Sequence, residues 1–107
     1  MKTVNRGFIS ITPTPLFIKW VGINSDEEQF FTDNPEQSIY LIEDDFWDDE
    51  ITIEKYFKKI VSAEFLAVCT SADKFPKIET LEEFKSYFSF TLGTIVQDLL
   101  KDKLEHE

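Results

Sequence analysis

The stretch Glu43-Asp44-Asp45-Phe46-Trp47-Asp48-Asp49-Glu50 sets six carboxylates around two large aromatic rings. Three kinds of chemistry use such residues. Paired carboxylates do general acid and base work, as in sugar hydrolysis. Clustered carboxylates hold a hard divalent cation. An aromatic ring with an N–H donor, set among acids, anchors a basic protein. The first requires two carboxylates singled out from the rest, and the twelve acids between residues 21 and 54 single out none. The second fails as a calcium loop: counted from Asp44, position 3 is Phe46, position 6 is Asp49 where glycine is needed, and position 12 is Lys55. A looser, weak divalent-ion site among Asp44, Asp45, Asp48 and Asp49 stays as an alternative. The third chemistry assigns partner binding to Asp44, Asp45, Phe46, Trp47, Asp48 and Asp49. Trp47 is then the anchor, its other reading being a lid on the core.

Plain helix physics offers a fourth account of the same stretch. Ile53, Tyr56, Phe57, Ile60, Val61, Phe65 and Val68 recur at helical spacing and mark the longest helix. Carboxylates just before and inside its first turn meet unsatisfied amides and the positive end of the helix dipole, each contributing roughly 0.3 to 1 kcal/mol. The acidic run is therefore either a helix start or, beyond that, an interaction surface.

Other catalytic constellations are missing from the chain. The lone histidine, His106, sits at the extreme C-terminus and receives no role, so a Cys/His or Ser/His/Asp site has no base. Cys69 follows Phe65-Leu66-Ala67-Val68, where a buried, inert thiol is the usual case. One cysteine without a usable histidine makes no zinc site, and three scattered glycines make no phosphate loop. No catalytic, cofactor-binding or metal residue is assigned, and no cofactor is expected. Arg6, Lys19 and Gly7 could hold an anion, but the preferred reading gives the two cations to the protein's own acids.

Charge is unevenly placed. Residues 1–20 hold Lys2, Arg6 and Lys19 and no acid, residues 21–54 hold twelve acids and no base, and the whole chain carries −10. Such a chain repels phosphate, which disfavours direct nucleic-acid binding and anionic membrane surfaces. No apolar run approaches the ~20 residues of a transmembrane helix, nor does the start resemble a signal peptide. A reducing cytoplasm is expected.

At 107 residues, with 42% hydrophobic and 15% aromatic content, the chain fits one domain, 1–107, with a single core. Arg6–Thr12 reads as a first strand. Thr14 caps and Pro15 opens a helix to Val21, with Phe17, Trp20 and Val21 inward and Gly22 closing it in a left-handed conformation. Ser25-Asp26-Glu27-Glu28 is a capping box for a single helical turn. Ser38–Ile42 is apolar on both faces and reads as a central strand. Thr70–Lys77 is a loop. Thr80-Leu81-Glu82-Glu83 is a second capping box, for a helix through Phe88, and Phe88–Val96 alternates as a third strand with Phe88, Phe90 and Leu92 on one face. The expected fold is α+β in two layers, with about three strands in one sheet covered by helices on one face.

Asn5-Arg6-Gly7, Pro15-Leu16-Phe17-Ile18-Lys19-Trp20, Tyr40-Leu41-Ile42 followed by acids, Phe84-Lys85-Ser86-Tyr87-Phe88 and Ile95-Val96-Gln97-Asp98-Leu99 together resemble a family of small acidic bacterial proteins with no assigned function. In that family's pattern the last strand tends to carry a glutamate and a histidine where this chain has Thr91 and Gly93. A Trp-Tyr pair follows the long helix where this chain has Val68-Cys69. The resemblance implies a fold and supplies no activity.

The function expected from these residues is a non-enzymatic protein-binding or regulatory module of inhibitor, immunity or charge-mimic type. It presents its acidic segment to a basic protein, and is itself a monomer or, through open sheet edges, a homodimer. The alternative is a small carboxylate-based enzyme or a weak divalent-metal or ligand-binding domain.

Overall fold

The computed structural model describes residues 2–24 and 36–100. In chain order the elements are β1 (Lys2–Val4), β2 (Gly7–Pro13), α1 (Pro15–Asn24), β3 (Ser38–Ile42), α2 (Asp49–Leu66), a 3-10 turn (Ala72–Lys74), α3 (Leu81–Tyr87), β4 (Phe88–Gly93) and β5 (Val96–Asp98). The expected turn at Ser25–Glu28 and the residues around His106 lie outside the described residues.

Strand β2 is the axis. It pairs antiparallel with β3 on one side and β4 on the other, in the order β3-β2-β4. Its side chains alternate: Ile9 and Ile11 are fully buried, whereas Phe8, Ser10 and Thr12 point to the opposite face and are half-buried. The buried side joins Phe17 and Val21 of α1, Ile53, Phe57, Ile60 and Phe65 of α2, Phe84 of α3 and Phe88 of β4 in one cluster. Among the described residues, helices thus cover one face of the sheet and leave the other open, an arrangement available to antiparallel sheets. Aromatic rings dominate the core: Phe65 meets Phe17 edge-on at 5.0 Å and Trp20 edge-on at 4.8 Å, so Trp20 packs inward as its spacing in α1 requires.

The α+β class holds, but the single sheet becomes two. β1 and β5 form a separate two-stranded antiparallel ribbon. It continues the β2–β4 pair past an irregularity in which Asn5, Arg6 and Gly7 stand between paired Val4 and Phe8, opposite only Thr94 and Ile95 between Val96 and Gly93. One extra residue on one strand is a bulge, which interrupts the ladder and turns it. The stretch expected as one strand over Phe88–Val96 is accordingly split.

β3 is an edge strand, correcting its expected central place. Its two-faced apolar pattern resembles that of a central strand, but the helices cover only the face bearing Tyr40 and Ile42, and Ile39 and Leu41 stay 57% and 43% exposed. The end of α1 also differs: no described glycine has a positive φ, and the helix runs through Gly22 to Asn24, whose side-chain amide donates to the Trp20 carbonyl. Thr14 does not spend its hydroxyl on the helix amides; it donates to the Ser86 carbonyl at 2.7 Å and ties the start of α1 to α3.

Candidate functional site

The acidic segment leaves β3 and enters α2. Asp48 is the N-cap, extended at φ −132° and ψ 121°, and its side chain accepts from the Ile51 amide at 3.0 Å. Its carbonyl accepts from the Thr52 hydroxyl at 2.8 Å. Asp49 and Glu50 occupy the first turn, so the helix-start reading holds residue by residue. Phe46 turns inward and is half-buried: a Cβ placed on Gly7 would meet its ring at 3.1 Å and two backbone oxygens, of Glu43 and Gly93, at 2.8 and 2.9 Å. Glycine at position 7 is what allows strand, loop and ring to approach this closely.

Trp47 does the opposite. It is 99% exposed, the most exposed large apolar residue described, and caps no part of the core. Asp44, Asp45 and Asp49 are also exposed, and none makes an ion pair among the described residues. The ion pairs of this region involve its two ends, Lys55 with Glu43 at 3.4 Å and Lys85 with Glu50 at 3.2 Å. A shallow open depression of about 440 Å³ lies beside the ring, bordered by Glu43, Asp45, Trp47, Asp48, Ile51 and Lys55. Ile51 is itself 72% exposed.

Two tyrosine–carboxylate bonds fix this surface to the fold. Tyr56 of α2 donates to Glu43 at 2.5 Å, and Tyr40 of β3 donates to Glu64 of α2 at 2.5 Å. The Tyr56 hydroxyl, helped by the charge of Lys55, holds the Glu43 carboxyl below the usual carboxylate range, and the same bond raises the Tyr56 phenol. Burial first, and then the Glu64 carboxylate, push the Tyr40 phenol well above its ordinary value. Residue spacing predicts neither bond. The available signal was two tyrosines on facing elements, each with a glutamate within reach only in three dimensions.

Among the described residues no group of three or more His, Cys, Asp or Glu side chains is placed to hold a metal ion. Cys69 is buried, as its apolar neighbours imply. Arg6 donates to the carbonyl and side chain of Asn5, and neither Arg6 nor Lys19 pairs with an acid among the described residues, contrary to expectation. Thr91 and Gly93 face the open side of the sheet, opposite Ser10 and Phe8. No described helix is long and apolar enough to cross a membrane. No protein-family model, no curated protein and no solved structure matches the chain.

Proposed function

We propose that the protein is a non-enzymatic binding or regulatory module that docks a basic protein on the segment Asp44–Asp49, with Trp47 as its anchor. The carrying observation is the complete exposure of Trp47 among aspartates that have no cation partner among the described residues. Leaving an indole in water forgoes apolar burial, and a solvated helix start requires carboxylates but no ring. Trp47 and Ile51 form an apolar pad bordered by Asp45 and Asp48. Lysine and arginine suit such a pad, because their stems cover apolar surface while their heads meet carboxylates, and a cation over indole is attracted further. Phe46, with one side spent on Gly7, fixes the loop that carries the ring.

The function is tested by capturing partners from native extract at low and moderate salt, identifying them, and measuring each against Trp47→Ala. A basic partner whose dissociation speeds up in the variant supports the reading. Partners that are acidic, or indifferent to Trp47, overturn it.

A further inference from the structure

We propose that β3 accepts an added strand: the extended backbone of the basic partner pairs with its outer edge, placing apolar side chains at alternate positions and lysine or arginine beyond both ends. This rests on the proposed basic partner and names how that partner is held. β3 pairs through five consecutive positions with β2 and receives no other backbone hydrogen bond from a described residue. Edge strands are normally blunted by a charge, a proline or a bulge. Ser38-Ile39-Tyr40-Leu41-Ile42 has none of these.

Both faces of an added strand would find apolar ground. On the open face lie Ile39 and Leu41, with Phe8 paired beside Leu41. On the helix face a cleft of about 220 Å³ runs between β3 and α2, lined by Tyr40, Ile42, Tyr56 and Ile60, with Lys59 also bordering it. Strand addition works in this way, the main chain giving affinity and pockets for alternate side chains giving specificity. A strand that reads as central in sequence would become central in the complex.

Charge selects the occupant. Glu36 precedes β3, and Glu43, Asp44 and Asp45 follow it. A second copy pairing antiparallel about Tyr40 would set Glu36 against Asp44 and bring together two chains of charge −10. A segment basic at both ends meets an acid at each.

The test is an NMR titration of ¹⁵N-labelled protein with the peptide Lys-Lys-Val-Thr-Val-Thr-Val-Lys-Lys. Controls are the same core flanked by glutamates and a copy N-methylated at alternate amides. Hydrogen exchange at the outward amides of Ser38–Ile42 should slow by about tenfold or more at saturation with the basic peptide and not with either control. The double variant Ile39→Lys, Leu41→Lys changes two exposed side chains and should abolish the effect while keeping the dispersed spectrum. Unchanged β3 exchange, whether the peptide fails to bind or binds only around Trp47, overturns strand addition; in the second case the Trp47 reading survives. β3 protection that is indifferent to flanking charge and to Trp47→Ala overturns the basic occupant proposed here together with the acidic-anchor reading. Protection that grows with protein concentration without peptide makes the occupant a second copy and overturns the choice of partner.

Discussion

The hydroxyl of Tyr56 donates to the carboxylate of Glu43 at 2.5 Å, joining α2 to the point where the chain leaves β3. From that fixed residue the next turn of chain places Phe46 inward on Gly7 and Trp47 outward into solvent. The orientation of the candidate site thus follows from one polar tie and one close backbone approach.

That tie has a pH signature. The folded Glu43 carboxyl titrates below its ordinary value, so its bond to Tyr56 contributes stability above the unfolded value and loses it as pH falls through the folded one. Carboxyl NMR should find the Glu43 midpoint low in the native chain and returned toward the ordinary value in Tyr56→Phe. A midpoint that does not move in the variant would assign the shift elsewhere.

Tyr40 has the opposite sign. Its phenol titrates above its ordinary value, so its contribution is fully present below the unfolded value, near pH 10, and is lost as pH rises through the folded one. Thermal melts of the native chain should therefore decline with alkali above that point more steeply than melts of Tyr40→Phe. Parallel curves would contradict the assignment.

Asp48→Ala should cost about 0.5 to 2 kcal/mol in denaturant unfolding, because the Ile51 amide loses its acceptor. Asp48→Asn keeps an acceptor and should cost much less. Equal losses would mean that charge rather than capping matters at this position.

Gly7→Ala should destabilise by about 1 to 3 kcal/mol, since the neighbours its Cβ meets include two backbone oxygens that cannot swing away. The atoms nearest a Cβ on Gly93 belong to the far end of the Phe8 ring, a side chain that can swing on the open side of the sheet, so Gly93→Ala should cost less although the approach is closer. Urea midpoints of the two variants check the order.

What was legible in the sequence was what local chemistry decides. Thr80 caps α3 by accepting from the Glu83 amide while Glu83 reaches back to the Glu79 amide, and the acidic run falls just before and inside the first turn of α2, because capping and helix-start charge are settled within a few residues. Ser38–Ile42 reads correctly as a strand, but its place does not, since Ile39 and Leu41 signal apolarity without saying what covers them. β1 and β5 leave no signal in the sequence because three-residue strands carry no period, and the bulge at Asn5–Gly7 exists only in the pairing of distant segments. Trp47 could be read as lid or anchor until the path of Phe46 was known; once Phe46 takes the space over Gly7, the next side chain points away.

Trp47→Ala should leave the melting temperature within about 3 °C of the native value, as surface substitutions away from special features change stability little. It should weaken the partner complex by roughly 2 kcal/mol, mostly through faster dissociation. A variant that melts markedly lower would show the ring packing on its own chain.

The most direct measurement is the association rate of the captured partner against ionic strength, for the native chain and for the quadruple variant Asp44→Asn, Asp45→Asn, Asp48→Asn, Asp49→Asn. Asn at position 48 preserves the cap, so the fold should persist. Attraction between the acidic segment and a basic surface is screened over about 8 Å at physiological salt. The native rate should therefore fall steeply as salt rises, and the variant should associate more slowly with a flatter dependence. Equal rates and equal salt slopes for the two proteins would contradict the account and leave the acidic run as a helix start alone.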